Sequence, residues 1–228
     1  MNSKISIIIP CYNEQLTVGS VIKKICEEFP NYQIVLVDDG STDKSIEILR
    51  NLNYKNFKLI ELEKNYGKGR AMREGLKYIK DKCEVVIFTD ADNEIDIMDL
   101  HKVVNKYEDP KIMSVFGSRF SKISINTIIK MGIERYIANR IFTFFGNIKY
   151  RQKLTDQATA VKSFRSSLIE KLNLNSDGFD IEPEIIKGLY KNKIKISEVS
   201  ISYNPRSVKE GKKLSYKDGF IYLKELFK

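Results

Sequence analysis

Three kinds of side chain are scarce or missing in this sequence, and each scarcity excludes a type of chemistry. The 228 residues include no tryptophan, one histidine and three cysteines. A hydrolase triad or a cysteine nucleophile needs a histidine as its base, but His101 lies inside a stretch with the pattern of a helix. Cys11, Cys26 and Cys83 are scattered without the spacing of metal ligands. The sequence therefore fits a reducing compartment, with neither a disulfide framework nor a triad.

Long apolar runs are missing as well. A membrane-spanning helix takes roughly 20 apolar residues, and no stretch of this sequence approaches that length. The first apolar run, residues 5–9, is too short for a signal peptide and leads directly into Pro10. We therefore expect a cytoplasmic chain.

Three ligand-binding signatures are also absent. No P-loop pattern ending in Gly-Lys-Ser/Thr occurs. Gly67 and Gly69 resemble the start of a dinucleotide fingerprint, but Met72 replaces the third small residue. An EF-hand loop would need glycine where Ile95 stands and glutamate where His101 stands. These departures argue against a P-loop protein, an NAD enzyme and an EF-hand.

The composition is that of a soluble globular protein, with 42% hydrophobic and 30% charged residues. A formal net charge of +9 favours anionic partners, such as nucleotide phosphates, acidic lipid headgroups or nucleic acid. The basic residues form no nucleic-acid recognition motif, so we predict no nucleic-acid partner. The length suits a single domain, residues 1–228, with a basic tail at 204–228.

Apolar runs of strand length alternate with amphipathic, helix-like segments through the first half of the chain. The predicted strands are residues 4–9, 34–37, 57–62, 85–88 and 113–117, with helices between them. Ser41 or Thr42 is the predicted N-cap of the second helix. Later we predict a short strand near Ala160, a helix at 166–172 and a last strand within 194–203. This alternation indicates an α/β fold, with a mixed, mainly parallel sheet flanked by helices.

Two carboxylates follow the apolar run at 85–88, which has the pattern of a strand buried on both faces. Asp90 and Asp92 have one residue between them, so both can reach one point. Open α/β sheets bind ligands beyond the carboxyl ends of their strands. A hard cation takes one or two carboxylates together with diphosphate oxygens. We therefore predict a Mg²⁺ or Mn²⁺ site that holds a nucleotide diphosphate, against the simpler interpretation of a solvated acidic loop.

Loops at 10–14 and 38–43 follow two other predicted strands and are rich in groups that recognise nucleosides. Their carboxylates accept hydrogen bonds from bases and ribose, and Tyr12 offers a flat ring. Gly67 and Gly69 open a predicted helix. They either present backbone N–H groups to phosphate or cap the helix.

Two segments of the second half keep two interpretations each. Residues 124–149 interleave isoleucine and phenylalanine with Lys130, Arg135, Arg140 and Lys149. This pattern suits either a core helix or a helix that lies on a membrane surface. The basic tail is either a solvated end or a cover that folds over an anionic substrate.

Seven ordered motifs carry a resemblance to a known family. They are SIIIPCYNE, VLVDDGSTD, NYGKGRAMREG, VIFTDADNE, GSRF, ERYIANR and YNPRSVKEGKKL. In this order they resemble glycosyltransferase family 2, and within it the polyprenyl-phosphate sugar transferases of the dolichyl-phosphate mannose synthase type. The likeness covers nearly the whole chain. It implies the GT-A fold, with a nucleotide-sugar-binding half at 1–119 and an acceptor-binding half at 120–203.

The resemblance also implies a role for each matching position. The nucleotide-binding set is Pro10, Tyr12, Glu14, Asp39, Lys68 and Asp90, and the metal ligands are Asp90 and Asp92. The acceptor-phosphate set is Arg119, Arg135, Asn139, Lys212 and Lys213, and Arg206 with one of those two lysines would close over the diphosphate. Two departures from the family pattern stand out. Glu94 follows Asn93 where a histidine or proline is expected, and residues 155–160 lack a Ser-Gly-Phe kind of run.

The implied reaction is a metal-dependent, inverting transfer of a sugar from a GDP- or UDP-sugar to a polyprenyl phosphate. It would take place at the inner face of the membrane, either peripherally or with a separate membrane-anchoring partner. A phosphate acceptor is already anionic, with a second pKa of about 6, and needs no strong base. A glycan hydroxyl, the alternative acceptor, needs Asp156 or Asp180 as general base. A non-catalytic nucleotide-sugar binding module is the alternative from another class.

Overall fold

The computed structural model of the chain describes residues 4–80 and 82–206. Seven strands of the described residues form one sheet in the order β3-β2-β1-β4-β6-β5-β7. The strands are β1 Ile5–Cys11, β2 Gln33–Asp38, β3 Phe57–Glu61, β4 Val85–Phe88, β5 Ser114–Ser118, β6 Lys162–Arg165 and β7 Ser197–Ser200. The α-helices are α1 Val18–Glu28, α2 Ser45–Arg50, α3 Lys68–Ile79, α4 Leu100–Lys106, α5 Ile125–Met131, α6 Ile133–Tyr150, α7 Ile169–Leu172 and α8 Ile181–Lys191.

The sheet is mixed and mainly parallel, as predicted. Strands β3, β2, β1 and β4 run parallel, and β7 runs parallel to β5. Strand β6 is antiparallel to both of its neighbours, β4 and β5. The carboxyl ends of β1, β2 and β4 therefore meet at one edge of the sheet, where the acidic loops of the sequence follow them.

Each central strand is buried on both faces because alternate residues pack into two separate cores. Val85 and Ile87 of β4 join the apolar residues of α1 and α4. Val86 and Phe88 join those of α3 and α8. This two-sided burial explains why the strand has no polar face in the sequence.

The predicted N-cap of α2 is wrong. The helix begins at Ser45, whose N–H donates to Asp43 Oδ1 at 2.9 Å. Ser41 Oγ instead accepts the N–H of Asn13 at 2.8 Å. Ser41 thus joins the loop after β2 to the loop after β1.

The second half differs from the prediction at three places. Strand β6 begins at Lys162, two residues beyond Ala160, and β7 covers only Ser197–Ser200 of the predicted run. Helix α8 was not predicted, because Gly178 and Pro183 give its start the composition of a loop. Pro183 lies in the first turn of α8, where a missing N–H leaves no helical hydrogen bond unmade.

Helices α5 and α6 present large apolar side chains to the surface, which does not fit an ordinary core helix. We call eight of them, each 41–68% exposed, the apolar face: Ile125, Ile129, Ile133, Ile137, Ile141, Phe144, Phe145 and Ile148. The buried residues of α6 are Thr143, Gly146 and Tyr150. In the described part of the chain, no helix combines the length and the apolarity that a membrane crossing requires.

Candidate functional site

The loops after β1 and β2 are fixed to each other at the carboxyl edge of the sheet. Asn13 has a left-handed backbone with a φ of 51°, and its Oδ1 accepts the N–H of Thr42 at 2.7 Å. The N–H of Glu14 donates to Ser45 Oγ at 2.8 Å. These bonds fix the backbone beside the predicted nucleotide residues Pro10 and Tyr12, which are both half-buried at the end of β1.

Asp39 ties the loop after β2 to the start of α3. Its Oδ1 accepts the N–H of Tyr66 at 2.9 Å, and its Oδ2 accepts that of Gly67 at 2.8 Å. Burial raises the pKa of Asp39, with further contributions from Asp38 and Asp177, although the two backbone hydrogen bonds oppose that rise. Asp39 thus holds the two residues that precede Lys68 at the start of α3. The contact of Asp39 with the nucleoside remains a prediction.

The two glycines at the start of α3 make room for another segment of backbone. A Cβ on Gly67 would lie 2.5 Å from Asp177 O, and one on Gly69 would lie 2.4 Å from Ser176 O. The N–H of Arg70 donates to Asp177 O at 3.0 Å. Segment 176–178 therefore lies against the helix start, which explains the glycines without a phosphate cradle.

Lys68 bridges Asp90 to an acidic residue that the sequence analysis did not single out. Its Nζ lies 3.0 Å from Asp90 Oδ1 and 2.8 Å from Glu182 Oε1. Burial opposes the charge on Lys68, but Asp90 and Glu182 outweigh it and raise the pKa of Lys68. The ammonium group is therefore a fixed positive charge beside the first carboxylate of the predicted metal site.

Asp92 is crowded by other carboxylates. It accepts the N–H of Glu94 at 3.0 Å, and its Oδ2 lies 3.5 Å from a guanidinium nitrogen of Arg206. Burial, Asp90 and Glu94 together raise the pKa of Asp92 to about 7, against the opposing effect of that hydrogen bond and of Arg206. The site therefore carries more negative charge than its own cations neutralise.

Arg206 joins the end of the described chain to the first loop and to the acidic loop. Its Nη1 lies 2.7 Å from Glu14 Oε2. Its backbone N–H donates to Glu94 Oε1 at 2.8 Å, and the N–H of Asn204 donates to Glu94 O at 2.8 Å. Glu94, one departure from the family pattern, thus holds segment 204–206 over the site. Asn93 takes the left-handed turn before it, with a φ of 58°.

A divalent cation fits the oxygens that this edge presents. Within residues 4–80 and 82–206, no group of three or more His, Cys, Asp or Glu side chains is arranged to hold a metal ion. Mg²⁺ takes one or two carboxylates and completes its coordination with water and substrate phosphates. Asp90 and Asp92 provide such a pair. The pKa of Asp92 is raised because burial and nearby carboxylates disfavour its negative charge, and a bound cation would stabilise that charge.

Asp156 and Arg119 form a buried pair. Arg119 Nε lies 2.6 Å from Asp156 Oδ2, and its Nη2 lies 2.8 Å from Oδ1 and 2.7 Å from Ala158 O. Asp156 is fully buried. A general base must reach the proton it removes, so this burial favours a structural role for Asp156, and its role as a general base remains a prediction. The contact of Arg119 with an acceptor phosphate remains a prediction.

The other predicted acceptor residues lie on α6. Arg135 and Asn139 are both half-buried, and Asn139 Nδ2 donates to Arg135 O at 2.8 Å. One residue further, Arg140 Nη1 donates to Thr155 O at 2.9 Å and joins α6 to the loop that carries Asp156. Lys212 and Lys213 lie outside the described residues, so their roles remain predictions.

The strand order of the sheet, with an acidic loop at the carboxyl end of β4, is that of the α/β GT-A fold. Over 98% of this chain, the fold is similar to that of glucosyl-3-phosphoglycerate synthase from Mycobacterium tuberculosis, solved in complex with Mn²⁺, UDP and phosphoglyceric acid. The match has a TM-score of 0.70 and 15% sequence identity and covers 78% of that chain. The predicted GT-A fold is thereby confirmed.

The family assignment rests on the sequence. The family model described as Glycosyl transferase family 2 matches residues 6–172, and the chain belongs to this family. It is 28% identical over 228 aligned residues to dolichyl-phosphate beta-glucosyltransferase of Saccharomyces cerevisiae, covering 88% of this chain and 66% of that protein. It is 28% identical to poly-beta-1,6-N-acetyl-D-glucosamine synthase of Staphylococcus epidermidis, covering 90% of this chain and 48% of that one. The chain thus spans 48% to 66% of the length of these relatives.

Two buried residues of the site were missed by the sequence analysis. Glu182 lies in α8, a helix that was not predicted, and Lys162 lies in β6. The available signal was a lysine among the small and apolar residues of segment 158–164. A buried charge inside such a strand needs an oppositely charged or hydrogen-bonding partner, which is buried as well.

Proposed function

We propose that this chain is the catalytic domain of a metal-dependent, inverting glycosyltransferase. It would move a sugar from a nucleotide-diphosphate sugar to a polyprenyl phosphate. The observation that carries this proposal is the pairing of Asp90 with Lys68 and of Asp92 with Arg206 at the carboxyl end of β4. Two carboxylates can hold a metal ion that binds a diphosphate, and two nearby cations can neutralise the charge of the diphosphate.

The protein's own charges have defined tasks in this reaction. Departure of the nucleoside diphosphate builds negative charge on its β-phosphate, and Lys68 and Arg206 are the nearby cations that would stabilise it. Asp90 and Asp92 would hold Mg²⁺ or Mn²⁺, which supplies Lewis-acid neutralisation of the diphosphate when bound. Glu14 and Glu94 keep Arg206 at the site before the donor binds.

Two observations favour a phosphate acceptor over a hydroxyl acceptor. A phosphate monoester is already anionic near neutral pH, with a second pKa of about 6. Asp156, the first candidate for a general base, is buried against Arg119. The similarity to dolichyl-phosphate beta-glucosyltransferase of yeast supports the same acceptor class.

A glycan hydroxyl in polysaccharide assembly is the second candidate acceptor. The likeness to the staphylococcal synthase favours it. It would need Asp180, which is half-buried directly before α8, as general base. A turnover assay with undecaprenyl phosphate and with an oligosaccharide, each at equal concentration, separates the two acceptors.

The apolar face supports attachment to a membrane surface. Its eight exposed side chains lie along α5 and α6, and the exposed cations Lys130 and Arg140 lie on the same helices. Apolar side chains enter the acyl boundary of a bilayer while neighbouring lysine and arginine bind anionic headgroups. Binding to anionic liposomes at low salt tests this attachment, and a chain that stays in the supernatant would contradict it.

Calorimetric binding of GDP and UDP, each with and without Mn²⁺, tests the proposed function. We expect one nucleotide to bind only with the metal, and Asp92→Asn to abolish that binding. Asp96→Asn is the matched control, because Asp96 is an exposed carboxylate of the same loop that only caps a turn. Absence of nucleotide binding under every condition would contradict the proposal. Nucleotide binding without sugar transfer to any acceptor would favour the non-catalytic module.

A further inference from the structure

Lys162 is a lysine in the interior of the sheet. It lies in β6 with Phe88 of β4 on one side and Phe116 of β5 on the other. Its side chain is 1% exposed, and its Nζ lies 5.4 Å from the centre of the Phe116 ring. Burial lowers the pKa of Lys162, although Glu182 acts in the opposite direction. A charge in such surroundings is expensive unless it is paired and hydrogen-bonded.

The partner of Lys162 connects it to the metal site. Lys162 Nζ donates to Thr159 O and to Glu182 Oε2. The other oxygen of Glu182, Oε1, lies 2.8 Å from Lys68 Nζ, which in turn lies 3.0 Å from Asp90. Four charges of alternating sign are therefore linked by successive contacts from the sheet interior to the predicted metal ligand. We call them the charge chain: Lys162, Glu182, Lys68 and Asp90.

Stability alone does not account for this arrangement. A buried ion pair gains little over well-packed apolar residues, since the cost of removing two charges from water offsets their attraction. Lys162 lies beside Phe88 and Phe116, which belong to the core on the α3 and α8 side of the sheet, and an apolar residue could have packed there. A positional role for the pair accounts for the buried charges better than a stabilising one.

The two oxygens of Glu182 contact two different lysines, Lys162 and Lys68. The contact with Lys162 therefore affects how strongly Glu182 attracts Lys68 away from Asp90. With Lys162 present, one oxygen of Glu182 is occupied and the other holds Lys68. Lys68 is then left with part of its charge for Asp90. Removal of Lys162 would direct the full charge of Glu182 at Lys68, whereas removal of the charge on Glu182 would release Lys68 to Asp90.

We propose that Lys162 and Glu182 are positioning residues that set the place of Lys68 and thereby the affinity of Asp90 for a divalent cation. The inference rests on the proposed function, because it concerns the metal ligand of that site. Neither residue needs to touch the substrate. Their effect on the metal passes through Lys68.

Affinity for Mn²⁺ alone, followed by the electron paramagnetic resonance of the free ion, measures this effect without turnover. Lys162→Met should tighten Mn²⁺ binding about fivefold, and Glu182→Gln should weaken it by a similar factor. A change of about fivefold in affinity is of the size expected for an interaction between partly screened charges. The opposite signs matter because simple damage to the fold would weaken binding in both variants. Thermal unfolding of each variant identifies any that fails to fold.

A double-mutant cycle with Lys68→Met separates positioning from a direct electrostatic field. If Lys162 acts through Lys68, Lys162→Met should change Mn²⁺ affinity less than twofold in a chain that already carries Lys68→Met. An effect of undiminished size in that background would overturn the proposal. Glu182→Gln with Lys68→Met completes the same cycle if Lys162→Met does not fold.

The wild-type chain distinguishes failure of the inference from failure of the proposed function. If it binds Mn²⁺ but both cycles show independent effects, only the positioning role is wrong. If it binds neither Mn²⁺ nor GDP or UDP with Mn²⁺, the proposed function is wrong, and the positioning role is overturned with it.

Discussion

Arg206 Nη1 lies 2.7 Å from Glu14 Oε2, so the last described residue is joined to the loop after the first strand. Both side chains are largely buried, at 16% and 12% exposure. The same guanidinium lies 3.5 Å from Asp92. One cation thus links the predicted nucleotide loop to the predicted metal loop.

We expect Arg206→Ala to weaken Mn²⁺-dependent binding of GDP or UDP by about tenfold or more, as loss of a hydrogen bond to a charged group does. Arg50→Ala is the control, because Arg50 also pairs with a glutamate, Glu61, but on the exposed surface. Calorimetry of both variants checks the expectation. Equal affinities in the Arg206 variant and the wild type would show that Arg206 does not contact the diphosphate.

Gly69→Ala should destabilise the fold by about 1–3 kcal/mol, the usual cost of overpacking. The added Cβ would lie 2.4 Å from Ser176 O and 2.9 Å from Gly178 O, which are both backbone atoms. Gly178→Ala is the matched control, since its Cβ would meet only the flexible end of Asp180 at 3.1 Å. Urea unfolding compares the two, and equal stabilities would contradict the close packing of segment 176–178.

Asp156→Asn should lower the free energy of unfolding by about 3 kcal/mol or more, because it leaves Arg119 buried without its counter-charge. Arg119→Met combined with Asp156→Asn should recover part of the loss. Chemical denaturation measures both. If a folded Asp156→Asn variant loses turnover completely while its stability is unchanged, Asp156 has a catalytic task that its burial does not indicate.

Acid should weaken the fold through Glu182. Burial disfavours its charged form, but Lys162 on β6 and Lys68 on α3 lower the pKa of Glu182 from 4.5 to about 2. The carboxylate therefore contributes stability above pH 4.5 that is lost as the pH falls towards 2, about 3 kcal/mol for a change of this size.

Glu182→Gln should start less stable at neutral pH and lose less stability than the wild type between pH 4.5 and pH 2. Glu170→Gln is the control, because Glu170 pairs with Lys80 at the exposed surface. Urea unfolding at intervals of pH gives the slopes. Parallel curves for the wild type and the Glu182 variant would show that Glu182 titrates normally.

Membrane attachment should depend on the apolar face. Ile133→Ser combined with Ile137→Ser should reduce the fraction of protein bound to anionic liposomes by about tenfold or more, since each buried isoleucine contributes about 1.5–3 kcal/mol. The matched control is Leu16→Ser with Met98→Ser, two exposed apolar residues elsewhere on the surface. Equal loss in both pairs would indicate nonspecific adhesion, and no loss in either would remove this face from membrane binding.

The sequence predicted the parts of the fold and site that depend on local pattern. Val85–Phe88 could be predicted because two-sided burial gives a continuous apolar run. Asp90 and Asp92 could be found because their spacing and the preceding strand are both local. The partners of these two carboxylates were only partly predicted: Arg206 came from the resemblance, whereas the link from Lys68 to Glu182 was not foreseen.

The missed parts depend on packing between distant segments. Helix α8 contains Pro183, which local pattern assigns to a loop. The helix forms because its apolar side packs against the core that contains Val86 and Phe88 of β4. The lysine at position 162 indicates that a buried partner exists, but that partner, Glu182, is identified only when α8 places it beside Lys162. No local pattern reveals such a pair, because its two members belong to different elements and to no motif.

The position of β6 between β4 and β5 has a consequence for synthesis on the ribosome. Strand β4 ends at Phe88, but the strand that covers its open edge ends only at Arg165. At 5–20 residues per second, translation exposes that edge for on the order of 4 to 15 seconds. An apolar strand with an open edge is a template for pairing with other chains. The nascent chain is therefore open to pairing with other chains through this edge during the interval between the two strands.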